Sequence, residues 1–178
     1  MGSRTFRRVA FAAGVALFLM LMPQGCGDPP TLTFSARLDG SQEVPSNASA
    51  GSGQVVITLD RSGTSLTYTL SVDNIRNVFM AHLHSPGAPG VNAGIVLFLY
   101  GPVPAAGGPT SGVIATGTKT GADLIGPLAG HPLSDLIDSI KAGTVYANVH
   151  TSAGPGNPSG PGNLPGGEVR GQVIIRPQ

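Results

Sequence analysis

The sequence predicts an all-β protein of about eight antiparallel strands with one short helix. Three observations carry the prediction. Short runs alternate apolar and polar residues, a tight hairpin signal joins two of them, and only one stretch has helical periodicity. High glycine and proline content, 27 and 16 of 178 residues, with only 11% charged residues, is a composition shared with disordered chains. The alternating Val, Ile, Leu and Thr runs argue the other way, because they bury enough apolar area to fold.

The first strand holds Leu32, Phe34, Ala36 and Leu38, the second Val55, Ile57 and Leu59, and the third Leu66, Tyr68, Leu70 and Val72. Each alternates with polar neighbours, as a strand with one buried face does. Asp60-Arg61-Ser62-Gly63-Thr64 joins the second to the third, with Gly63 free to take positive φ. The fourth runs from Val78 to His84, and its phase puts Phe79, Ala81 and Leu83 inward. The fifth, Ile95 to Tyr100, is apolar throughout and is expected to be central or covered on both faces. Val113 to Lys119, Thr144 to Thr151 and Glu168 to Arg176 complete the set. Leu133, Leu136, Ile137 and Ile140 fall at i, i+3, i+4 and i+7, the stripe of an amphipathic helix with Ser134 as N-cap and Gly143 as stop. Its expected place is one end of a two-sheet sandwich.

Residues 1–25 read as an export signal: Arg4, Arg7 and Arg8 are followed by an apolar stretch from Val9 to Met22, too short to span a bilayer comfortably. Gly25 precedes Cys26, the one cysteine, which makes Cys26 the expected site of lipidation, although Pro23 stands where a lipoprotein signal usually has leucine. The alternative is an ordinary secretory signal and a secreted product. A linker, 26–31, then leads into a single domain over 32–176. From Cys26 onward seven basic residues face nine acidic ones, so no basic patch survives and nucleic acid is not an expected partner. With no second cysteine, stability rests on core packing. The chain has no Gly-x-Ser-x-Gly elbow and no lysine-bearing phosphate loop, and with no Trp it offers no aromatic platform for sugars.

Four segments resemble the CHRD domain, first described in chordin and widespread in bacterial secreted proteins. They are Phe34 to Pro45, Ala81-His82-Leu83-His84, Gly143 to Thr151, and Gly167 to Gln172, within a resemblance that covers Leu32 to Ile175. The resemblance implies an immunoglobulin-like, Greek-key β-sandwich or barrel. In chordin the domain belongs to a protein that binds secreted growth factors. By that likeness the expected function is an extracytoplasmic, lipid-anchored binding module without catalytic activity, periplasmic or at the cell surface. An extracellular or periplasmic protein is then its partner, and the membrane is reached through an N-terminal lipid.

The alternative expectation is a metal protein. His82 and His84 share one face of their strand, and His150 lies on the outer face of the seventh with Tyr146 and Asn148, opposite Val145, Ala147 and Val149. Three neutral imidazoles suit copper, zinc or iron. Glu168 is a weaker fourth ligand or an acceptor that orients an imidazole. It is otherwise one half of an exposed pair with Arg170 that blunts a strand edge. Glu43 is a candidate polar contact to the histidine face, and His131 reads as a surface loop residue. Three loops rich in Gly and Pro, Ser85 to Gly94, Gly101 to Gly112 and Ser152 to Gly167, punctuate the strands, and the first and third are placed to fold over the histidines.

Overall fold

The computed structural model describes residue 2 and residues 31–104 and 109–176. Cys26 lies outside them, as do the expected signal and linker apart from Gly2 and Thr31. Nine strands and an α-helix follow in the order β1 Thr33–Asp39, β2 Ser52–Leu59, β3 Ser65–Arg76, β4 Val78–His84, β5 Ile95–Tyr100, β6 Pro109–Thr120, α1 Leu133–Lys141, β7 Tyr146–Thr151, β8 Val169–Gln172 and β9 Ile174–Ile175. All strand pairings are antiparallel, in one sheet of order β5-β4-β7-β8-β1-β2-β3-β6, with β9 beside β1. The sheet curls into a nearly closed barrel. Across the gap between its ends, the Tyr68 hydroxyl of β3 donates to the Leu99 carbonyl of β5 at 2.6 Å.

Alternation places one face of each strand inside. Phe34, Leu38, Val55, Ile57, Leu66, Leu70, Ala81, Leu83, Leu97, Val145 and Val149 are all buried in a single core. Each Leu, Ile, Val or Phe so buried contributes roughly 1.5–3 kcal/mol of transfer free energy. The β2–β3 hairpin closes as expected: the Asp60 N–H donates to the Ser65 carbonyl, and Gly63 takes φ +73.

The fifth strand, expected to be central or covered on both faces, is the second of these: β5 ends the sheet order, yet Val96 and Leu97 are both wholly buried, because the 3₁₀ turn Gly126–Leu128 packs against it and the Ile125 N–H reaches the Val96 carbonyl. Three expectations need correction. The last strand breaks at Val173, whose N–H turns to the Val145 carbonyl before β9 takes up pairing with β1. A bulge between Val78 and Met80 shifts the phase of β4, so Val78 packs on the core and Phe79 lies edge-on to His150. Ser134 is not the N-cap. The helix starts at Leu133 with Pro132 in the cap position, because burying Leu133 draws the first turn into the core two residues early.

The other helix features hold. Leu133, Leu136, Ile137 and Ile140 enter the core together. Gly143 ends the helix at φ +72, its N–H on the Ile140 carbonyl and the Thr144 N–H on the Ser139 carbonyl, the paired bonds of a Schellman motif.

Candidate metal centre

β4 and β7 are neighbours in register, with Met80 opposite His150, His82 opposite Asn148 and His84 opposite Tyr146. Side chains of one parity therefore stand together on the face away from the core. His82 and His84 from β4 meet His150 from β7 there, and one nitrogen from each ring lies within 4.8 Å of the others. Three points so spaced lie within about 2.8 Å (4.8/√3) of a common centre. A bond of 2.0–2.1 Å to an imidazole nitrogen then asks the rings to draw inward by less than about 1 Å.

The face was expected to be an outer one, and it is not exposed. His82 is 0%, His84 8% and His150 6% accessible. The loops over 85–94 and 152–167 fold back over it, as their position in the sequence suggests. The Arg170 guanidinium gathers the first loop, donating to Asn92 Oδ1 at 2.9 Å and to the Val91 carbonyl at 2.8 Å, and Gln172 donates to the Gly87 carbonyl. The second loop is held by the Leu164 N–H on the Thr151 hydroxyl and by Asn77, whose amide donates to the Gly162 carbonyl.

The same loops set the tautomers. His84 Nδ1 lies 2.9 Å from the Ala93 carbonyl, and His150 Nδ1 lies 2.9 Å from the Pro165 carbonyl. A carbonyl only accepts, so each Nδ1 carries the proton and each Nε2 keeps a lone pair. His82 Nδ1 stands 3.1 Å from His150 Nε2, which makes it the donor of that pair. His82 Nε2 and His84 Nε2 are buried with no hydrogen-bond partner among the described residues. Buried nitrogens of this kind are rare without a reason.

Burial decides their charge. It pushes His82 down to about 3, helped by His150 and His84, and His84 down to about 4, against the hydrogen bond to Ala93. Burial lowers His150 as well. All three rings are therefore neutral at pH 7, the form that binds a metal ion. The surroundings fix the rings: Phe98 lies edge-on to His82 at 4.5 Å, and Tyr146 stacks on His84 at 4.7 Å with Arg170 over its other face.

Glu168 is not part of this group. Its carboxylate accepts from the Ser49 hydroxyl at 2.6 Å, the Thr151 hydroxyl and the Gly162 N–H at 2.7 Å, and ties three loop segments together. Nor is it half of an exposed pair with Arg170: Glu168 is 1% and Arg170 2% accessible, each with partners of its own. Glu43 does reach the histidine face, through Asn148. His131 is surface-exposed beside Asp135. Sequence reasoning put Tyr146 and Asn148 on the correct face by period two but assigned them no role. It passed over Phe98 because an all-apolar strand hides which residue faces outward.

No curated protein and no solved structure matches this chain. The family model for the CHRD domain matches residues 34–160, ending before the segment Gly167 to Gln172 but covering well over half of the chain. The protein belongs to the CHRD domain family.

Proposed function

We propose that this protein is an extracytoplasmic, lipid-anchored CHRD-domain binding module whose ligand is a transition-metal ion held by His82, His84 and His150. The observation that carries the reading is that His84 and His150, each with its Nδ1 fixed on a backbone carbonyl, meet His82 in a buried space, where a metal would replace the hydrogen bond between His82 Nδ1 and His150 Nε2. Metal-binding histidines almost always donate their second ring nitrogen to such an acceptor. An all-nitrogen donor set suits copper, zinc and iron, and the general affinity order of divalent ions favours copper. The basic and apolar stretch before Cys26 supports export and attachment through a lipid. Among the described residues no helix is long and apolar enough to cross a membrane.

The test is elemental analysis of untagged protein after exposure to copper, zinc or iron. One equivalent of metal in the wild type, and loss of it in both His82→Ala and His150→Ala, is the expected result. Equal metal content in the wild type and both variants sinks the assignment.

A further inference from the structure

Asn148 stands two residues before His150 on β7 and directly opposite His82 on β4, so it shares the histidine face. Its side chain is buried at 3% accessibility. Nδ2 donates to both oxygens of Glu43, at 2.9 and 3.1 Å. A carboxylate accepts, so this contact settles which end of the amide is nitrogen and turns Oδ1 away from Glu43. Gly167 locks the pair from behind: a Cβ there would come within 2.7 Å of Nδ2 and within 2.7 and 2.8 Å of the two Glu43 oxygens.

Oδ1 itself is buried with no hydrogen-bond partner among the described residues, and so are Nε2 of His82 and Nε2 of His84. Three buried atoms, each offering a lone pair, thus belong to side chains on one face of two paired strands. A cation would satisfy all three, and an apolar filling would satisfy none. We infer that Asn148 Oδ1 is the fourth donor of the centre and that Glu43 is its positioning residue. The inference rests on the histidine centre proposed above. By accepting from Nδ2 through both its oxygens, Glu43 pushes electron density onto Oδ1 and supplies the negative charge that three neutral imidazoles lack. Glu43 is itself buried, at 7% accessibility, so its contact with Asn148 is shielded from solvent.

The experiment is titration of the metal-free full chain with Co²⁺, reading both affinity and the visible ligand-field bands, with folding of each variant followed by circular dichroism. Asn148→Ala is expected to bind Co²⁺ about 10- to 100-fold more weakly with altered bands. Glu43→Gln is expected to weaken binding by about tenfold and to shift the bands. The double variant Glu43→Gln/Asn148→Asp reverses the hydrogen bond, so that a carboxamide at position 43 donates to a carboxylate at 148, and is expected to restore affinity. A merely structural pair would not move the bands. Wild-type affinity and bands in folded Asn148→Ala overturn the fourth donor and leave the histidine centre standing. Should that variant not fold, Glu43→Gln with unchanged affinity and bands overturns the pair. A wild type that takes up no Co²⁺ removes the centre and this inference together.

Discussion

At the residue scale the three histidines and Glu43 oppose each other in their response to pH. A histidine whose pKa is lowered in the folded protein stabilises above its unfolded value of 6.5, and that contribution is lost as pH falls toward about 4 for His84 and about 3 for His82. Glu43, raised from 4.5 to about 7, does the reverse: its contribution is complete below 4.5 and is lost as pH rises to 7. Between pH 6.5 and 4.5 His82 and His84 each favour the unfolded chain by one proton, His150 acts in the same direction, and Glu43 favours the folded chain by one. Each unmatched proton is worth about 1.4 kcal/mol per pH unit. Metal-free protein is therefore expected to unfold at lower urea concentration at pH 5 than at pH 7. An equal or higher midpoint at pH 5 would show that the rings are not held neutral. Replacing His82, His84 and His150 together by Gln should flatten the dependence below pH 6.5, leaving the opposite slope of Glu43.

At the element scale the helix separates what local chemistry decides from what packing decides. Ser134 has the right chemistry for an N-cap, but its hydroxyl lies beside Asp135 Oδ1 at 3.4 Å inside the first turn. Ser134→Ala is thus expected to change stability by no more than about 0.5 kcal/mol, where a true cap would cost about 1. Gly143 at φ +72 is different, and Gly143→Ala should cost about 1 kcal/mol. Leu136→Ala, at a side chain with 0% accessibility, should cost roughly 2–5 kcal/mol. Urea unfolding of the three variants orders them. β4 teaches the same lesson from the other side: one bulge between Val78 and Met80 exchanges the faces of Val78 and Phe79, and a strict period of two has no way to register it.

At the scale of the whole molecule, the barrel is drawn together across its gap by Tyr68 on Leu99 and is covered on one outer face by two loops. Tyr68→Phe leaves the buried Leu99 carbonyl without that donor and is expected to cost about 1–3 kcal/mol, read from thermal unfolding. A metal that binds only the folded chain stabilises it by about 4 kcal/mol at a thousandfold excess over Kd. That gain should raise the Tm of the wild type and be absent in His150→Ala; equal gains in both would place the binding elsewhere. The sequence by itself determined the all-β class, the positions of most strands, the helical stripe, the shared strand face of His82 and His84 and the outward phase of His150. These follow from local periodicity, which the covalent chain carries in full. Only the tertiary structure decided that β4 and β7 are neighbours, that the histidine face is buried, and that Glu168 serves Ser49, Thr151 and Gly162 while Glu43 serves Asn148. Strand order and loop closure bring together residues as distant as Glu43 and Asn148, and no period within either segment encodes the meeting.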